Sequence, residues 1–421
     1  MRLVYQELNV MLDASLAENI YVGNLPMKGI FVDYKKLYAD TAAMLDKVGL
    51  KLDPRQRVRG LNSGQMQMIS IARALSKQPR IIVLDEPTSA LTDRETEILM
   101  HTIDTLRREG VSLVFISHKL DEIFRIADRV VVMRDGAVVE VDEIGKVTED
   151  ALIEAMIGRA IENMYPKQPP EISGEVLRVE HLTVPHPSNK GQNIVEDVGF
   201  SLKKGEILGI GGLVGAGRSE ILSAIFGYIT DGVTKEVYLD GRKVDIRTPE
   251  DAIRCGMGYI TEERKQTGYI WVHSIRDNLT LACLKKISPH WFINDKIANS
   301  LAEKVFRLLD IKAPSLNTML VNLSGGNQQK VVVGKWLLMQ PRILLIDEPT
   351  KGIDVGTKAE IYRIMNDLTH SGVSIIMVSS DMPELVSMSD RCLVVSNRHI
   401  TGEFVGAEIT QENVMKAAIA S

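Results

Sequence analysis

Cysteine is scarce in this chain: three residues in 421, Cys255, Cys283 and Cys392, an odd number at wide spacings with no C-x-x-C pair. That argues against a disulfide framework or a zinc site and for core thiols in a reducing compartment. Aromatics make up 5 % of residues, too few for a platform that stacks single-stranded bases. There is no basic excess. Fifty Lys and Arg against 55 Asp and Glu leave a net charge of -5, which disfavours general binding to a phosphate backbone. No apolar run approaches the roughly 18 residues of a membrane helix. The opening residues, MRLVYQELNVMLD, carry neither the apolar core nor the cleavage site of a secretory signal. With 45 % hydrophobic and 25 % charged residues, the expectation is a soluble, cytoplasmic protein of two or three domains. Any membrane role would need partner chains.

What the chain does have is an internal repeat. LNSGQ at 61–65 returns as LSGGN at 323–327, IIVLDEPT at 81–88 as ILLIDEPT at 343–350, and FISH at 115–118 as MVSS at 377–380. All three pairs share an offset of 262. Tyr5-Gln6-Glu7 aligns with Thr261-Glu262-Glu263 at 256, so the second copy gains six residues in between, expected between Lys285 and Ser315. The second copy opens near Glu175 and has a glycine-rich loop at 212–219. Moved back by 256, both fall before Met1. The expectation is therefore a first copy that lacks roughly 80 residues including that loop, with apolar surface and a sheet edge exposed. The boundary between copies is placed at the proline-rich stretch 165–170, read as an extended connector, giving domains 1–165 and 166–421. The fold class is α/β with mostly parallel sheet: runs such as IIVLD, VSLVFIS, ILLID and VSIIMVS read as buried strands, and 94–109 and 356–370 as helices.

Four groups of residues carry chemistry. Gly212, Gly215, Ala216, Gly217, Arg218 and Ser219 follow the strand-like EILGIGG and precede Glu220 and an apolar helical stretch. Strand, glycine turn and helix start are what a phosphate-binding loop requires. Ser219 would give a hydroxyl to Mg²⁺, while Arg218 stands where such loops carry lysine. Guanidinium is no compact point charge, so efficient hydrolysis is not expected. A glycine turn without ligand is the alternative. Asp85-Glu86 and Asp347-Glu348 each end a buried strand, where paired acids are costly unless they hold a metal or act on water. The first acid of each pair would take Mg²⁺ and the second would polarise the attacking water. His118 ends the next strand and would sense a γ-phosphate; its counterpart is Ser380. Ser324, Gly325, Gly326 and Asn327 start a helix, as an anion site or as a plain N-cap. The first copy has Asn62, Ser63, Gly64 and Gln65 there. His186 is a loop histidine with a weak claim to stack on adenine. Met156–Arg159 has no role beyond a helix end.

Glycine loop, LSGGN, DEPT and switch histidine in this order resemble the ATP-binding cassette ATPases that energise membrane transport, over essentially the whole chain. VYQELNVM, SGQMQMISIARAL, GLVGAGRSE and LSGGNQQKVVVGKWLL, together with ERKQTG, are similar to the double-cassette subunits of monosaccharide importers. The resemblance implies two tandem P-loop cassettes, each with a helical signature subdomain, the first without its P-loop portion. It implies ATP and Mg²⁺ as cofactors and head-to-tail pairing of cassettes, within or between chains. One composite site would draw on Gln6 and Asp85 as metal ligands, Glu86 and His118 as catalytic residues, and Ser324, Gly325, Gly326 and Asn327. The other would draw on Gly212 to Glu220, Glu262, Asp347, Glu348 and Ser380, with Asn62, Ser63, Gly64 and Gln65. The departures at Arg218, Glu262, Ser380, Asn62 and Ser63 all fall on the second, which implies one hydrolytic and one mainly structural site. Implied partners are two transmembrane permease subunits and, through them, an extracytoplasmic sugar-binding protein, with no nucleic acid. The implied location is peripheral, on the cytoplasmic face of the inner membrane. A nucleoside importer of the same architecture and a non-catalytic regulatory pair of cassettes are the alternatives.

Overall fold

The computed structural model describes the chain apart from residues 6–8, 89–90, 118, 135, 158–163, 188, 190, 214, 289–291 and 420–421, with backbone alone at 93, 94, 134, 150 and 157. It divides into two compact units, Met1–Ala160 and Ile161–Ser421.

The second unit is built on strands whose composition dictates their place. Ile207–Gly212, Ile343–Asp347 and Ser374–Val378 are almost wholly apolar and buried on both faces. They form the centre of a six-stranded sheet in the order Met257–Ile260, Ile343–Asp347, Ser374–Val378, Ile207–Gly212, Arg391–Ser396, His399–Val405. The last strand is antiparallel and the rest are parallel. Truncating a fully buried residue such as Leu344 or Leu345 to alanine would cost about 2–5 kcal/mol. A second, antiparallel sheet holds Arg242–Val244, Thr234–Leu239, Ser173–Pro185 and Asn193–Lys204 in that order. Helices Ile275–Thr280, Asp295–Leu308 and Gly325–Leu337 pack together as a helical layer.

The proline-rich stretch does not hang free of this unit. Tyr165 stacks on Tyr362 with ring centroids 5.2 Å apart, Lys167 Nζ reaches Asp390 Oδ2 at 2.8 Å, and the Gln168 N–H donates to Asn366 at 3.0 Å. Extended backbone leaves these side chains and N–H groups available; helix 355–370 takes Tyr165 and Gln168, and Asp390, before strand Arg391–Ser396, takes Lys167.

In the first unit the elements return at the repeat offset. Helix Ser63–Leu75, strand Ile81–Asp85, helix Asp93–Arg108, strand Ser112–Ile116 and hairpin Arg129–Arg134 with Ala137–Glu143 each start 262 residues before their second-unit counterparts. The six-residue gain is spread more widely than 285–315. Helix Leu16–Tyr21 matches Ile275–Thr280 at 259, and buried Asn19 and Asn278 make the same bonds, to the main chain of Met11 and of Ile270. Half of the gain thus precedes Lys285.

The second-unit elements from Ser173–Pro185 to Pro249–Arg254 have no equivalent among the described residues of the first unit, and strand Ile207–Gly212 is the one whose place in the sheet shows it. The first unit's parallel sheet has the order Arg2–Val4, Ile81–Asp85, Ser112–Ile116, and its hairpin is a separate sheet. In the second unit, strand Ile207–Gly212 joins these two parts. Accordingly Val114, Ile116, Val131 and Met133 are about half exposed, whereas Ile376, Val378, Leu393 and Val395 are buried.

Candidate functional site

The richest cluster of chemistry lies at the carboxyl ends of the second unit's central strands, where ligands of open α/β sheets bind. Strand Ile207–Gly212 runs into the glycine loop and helix Arg218–Ile225. Gly212 has φ 146°, and a Cβ there would lie 2.3 Å from the Val395 carbonyl, so backbone geometry and packing both demand glycine. Gly217, at φ 95°, is the left-handed N-cap of the helix. No side chain caps that end, and its free N–H groups and dipole present a positive surface to an anion. Gly215 is exposed with φ 83°, Ala216 is half-buried, and Glu220 sits in the helix's first turn.

Arg218 is buried, and its Nη1 donates to the Ser379 carbonyl at 2.8 Å. Asp347 ends its strand almost fully buried, beside Ser219. Tyr259 hydroxyl, itself bonded to Ser223 at 3.0 Å, approaches its Oδ2 at 3.5 Å. Its Oδ1 has no hydrogen-bond partner. Burial, then the charges of Glu262 and Glu348, push the carboxyl up to about 7, against the opposing pull of Ser219 and Arg218. A buried carboxylate oxygen without a partner, beside a serine hydroxyl at a helix N-terminus, suits a small hard cation. Among the described residues no three acidic, histidine or cysteine side chains form a metal cage. The rest of the coordination would come from nucleotide and water, as is usual for Mg²⁺.

Glu348 has φ 51°, a strained value for a residue with a Cβ, and its N–H donates to the Val378 carbonyl at 2.9 Å. Its Oε2 accepts from Ser380 Oγ at 2.9 Å. Glu262 pairs with Lys351 at 2.6 Å, and Arg264 donates to the carbonyls of Lys351 and Gly352 at 2.9 and 2.7 Å. The turn after Glu262 and the loop after DEPT are thus tied together. Burial opposes the Lys351 charge, but Glu262 and then Glu348 hold its pKa above the ordinary lysine value.

Ser324 caps helix Gly325–Leu337 by accepting from the Asn327 N–H, and Asn327 returns a side-chain bond at 3.0 Å. A Cβ on Gly325 would lie 3.0 Å from Arg264, and one on Gly326 would lie 2.4 Å from Thr357, so the two glycines permit close packing at this turn. In the first unit, Asn62 and Gln65 close a capping box, Ser63 begins the helix, and a Cβ on Gly64 would clash with Glu95.

Asp85 ends its strand, and Glu86 repeats the strained geometry of Glu348, with φ 42° and an N–H bond to Ile116 O at 2.9 Å. Gln6 and His118 lie outside the described residues, as does Arg159. His186 caps a turn: its Nδ1 accepts from the Asn189 N–H at 3.1 Å and its own N–H donates to Gln192 O. All three cysteines are free thiols, two of them buried. Sequence reasoning gave no role to Lys351, Arg264 and Tyr259, which reach Glu262, the Lys351 and Gly352 carbonyls and Asp347, 87 to 89 residues away. For Lys351 a signal existed: it stands where the first copy has Ser89, and Glu262 stands where it has Gln6.

Residues 1–89 and 195–351 match the family model described as ABC transporter. The chain is 45 % identical over 416 residues to the xylose import ATP-binding protein XylG of Geobacillus kaustophilus, covering 99 % of this chain and 82 % of that protein. It is 43 % identical over 419 residues to the ribose import ATP-binding protein RbsA of the same organism, covering 99 % and 83 %. It is 40 % identical over 422 residues to a putative ribose/galactose/methyl galactoside import ATP-binding protein of Rhizobium etli, covering 99 % and 79 %. A solved ATP-binding cassette of an ABC transporter superposes with a TM-score of 0.51 at 20 % identity, covering 59 % of this chain and all of that one.

Proposed function

The chain belongs to the ATP-binding family of ABC transporters, and from that premise we infer that it is the ATPase subunit that energises import of a monosaccharide. One observation carries the reading. A glycine loop, Ser219, the unpartnered Asp347 oxygen and the Glu348–Ser380 pair converge at one strand end, in a chain at least 40 % identical to xylose and ribose import ATP-binding proteins.

In this reading the N–H groups of the glycine loop and the helix start would wrap the β-phosphate, and Asp347 and Ser219 would hold Mg²⁺. When bound, the ion would neutralise charge on the transferring phosphoryl oxygens. Glu348 orients the attacking water, with Ser380 fixing its carboxylate. Arg218, engaged by Ser379, gives the terminal phosphate no free cation. Turnover at this site is therefore slow. In the first unit Glu86 and His118 are the residues that would act on water and γ-phosphate, and Gln6 and Asp85 those that would serve a metal.

Among the described residues no helix is long and apolar enough to cross a membrane. The membrane passage is thus assigned to two permease subunits, fed by an extracytoplasmic sugar-binding protein, with this chain on the cytoplasmic face. Ile270, Trp271, Val272, Met319 and Val321 are exposed side by side, joined by the Val321 N–H to Trp271 O bond of 3.2 Å. This apolar patch adjoins the Glu262 turn and suits a permease loop. A photo-crosslinker at Trp271, irradiated in native membranes, tests the assignment. Capture of a multi-span permease supports it, and capture of a ribosomal or nucleic-acid-binding protein contradicts it.

A further inference from the structure

Glu384 belongs to no motif named above, yet it is 1 % exposed. Its Oε1 accepts from Thr350 Oγ1 at 2.9 Å, and its Oε2 accepts from Ser379 Oγ. Its N–H is capped by Asp381 at 3.2 Å, and Asp381 pairs with Lys358 at 2.8 Å. Thr350 closes the loop that carries Asp347 and Glu348. Ser379 precedes Ser380, the hydroxyl bound to Glu348.

The first unit repeats the partners. Glu122 is 4 % exposed and accepts from Thr88 at 2.9 Å and from Ser117 at 3.3 Å, both on one oxygen, while its other oxygen pairs with Lys119 at 3.0 Å. Acid, threonine and serine all stand 262 residues before their counterparts. A buried carboxyl is costly and is seldom found without a partner. Here the same acid meets the same two hydroxyls in both copies, although the switch position between them has changed from His118 to Ser380.

We propose that Glu384, and Glu122 in the first unit, are positioning residues that fasten the acid-pair loop to the end of the neighbouring strand. In the second unit this keeps Ser380 and Glu348 in hydrogen-bonding register. The proposal deepens the nucleotide-hydrolysis reading and depends on it for the functional consequence, but the fastening itself is independent of it. Networks of buried hydrogen bonds hold loops more firmly than their single bonds imply.

Two substitutions in the full chain separate the possibilities. Glu384→Leu removes both acceptors at similar volume, and Glu384→Gln keeps a polar group that bonds both hydroxyls. The first readout is amide hydrogen exchange. In Glu384→Leu, Thr350, Lys351, Ser380 and Asp381 exchange about tenfold faster or more, while Leu344–Ile346 in the sheet keep wild-type protection and Glu384→Gln stays near wild type. Unchanged exchange at the four amides overturns the proposal, and so does loosening that reaches the sheet equally. The second readout is affinity for MgATP against MgADP. The glycine loop holds the phosphates both share, whereas Glu348 and Ser380 act at the terminal one. The ATP-to-ADP affinity ratio therefore shifts about fivefold or more in Glu384→Leu and recovers in Glu384→Gln, with ADP affinity within about twofold. An unchanged ratio, or equal loss for both nucleotides, contradicts a positioning role. If the wild-type chain binds neither nucleotide, the proposed function fails, and the exchange data alone decide the fastening.

Discussion

Arg218 Nη1 donates to the main-chain carbonyl of Ser379 at 2.8 Å. The bond draws the one basic side chain of the glycine loop down to the strand end and leaves it 7 % exposed. A lysine at this position is a compact charge on a stem too narrow to be held the same way. Arg218→Lys is expected to tighten MgATP binding about tenfold, ~1.4 kcal/mol, by calorimetry. No gain would mean that guanidinium already serves the phosphates.

Asp347 places an unpartnered oxygen in the interior. Such a group is strained in the absence of cation and ligand, a usual cost of active sites. Asp347→Asn is expected to raise the melting temperature of the ligand-free chain by a few degrees, from ~1 kcal/mol of relieved desolvation. The same change is expected to weaken Mg²⁺-dependent nucleotide binding about 10–100-fold. A fall in melting temperature would contradict the assignment of Asp347 as a ligand held ready for a cation.

Burial first, then Asp381, raise Glu384 to about 7 from the ordinary 4.5, against bonds from Ser379 and Thr350 and the charge of Lys358. The unfolded chain loses this proton near 4.5 and the folded chain near 7. Between those values the folded state binds more protons, so this stabilisation is present below about 4.5 and is lost as pH rises through 7. The bound on the effect is about 3 kcal/mol. Denaturation at intervals from pH 5 to 8 is expected to show falling stability with a shallower slope in Glu384→Gln. Identical slopes would remove Glu384 as the titrating group.

Trp271, 59 % exposed, lies in the apolar patch assigned to the permease. Trp271→Glu is expected to shift the chain from the membrane fraction to the supernatant while its melting temperature changes by less than about 2 °C. Retention on membranes would move the docking surface elsewhere.

Much of this was legible because two copies of one pattern check each other. The repeat offset read from DEPT and the switch strand also positions helices, caps and hairpins, since each copy must bury the same faces. The strained backbone at Glu86 and Glu348 was not legible. Periodicity ends both strands at the preceding aspartate and carries no information on the sign of φ. Glu384 was hidden for another reason. An acid in the first turn of MPELVSM reads as a solvated, dipole-favoured residue, and its burial depends on Thr350, 34 residues away. The Glu262–Lys351 pair, 89 residues apart, depends likewise on the sheet order. The docking of Tyr165, Lys167 and Gln168 was obscured by the prolines around them, which speak for extended backbone but not for what that backbone rests on.

Nucleotide stoichiometry tests the central claim most directly. Within these 421 residues one glycine loop of the required form occurs, at 212–219. Titration calorimetry of the purified chain with MgATP is therefore expected to give one nucleotide per chain. Binding should be lost in Gly217→Val, whose side chain would crowd Val195 and Ile194, and weakened about tenfold or more in Ser219→Ala. No binding by the wild-type chain, or binding indifferent to both changes, would contradict the account.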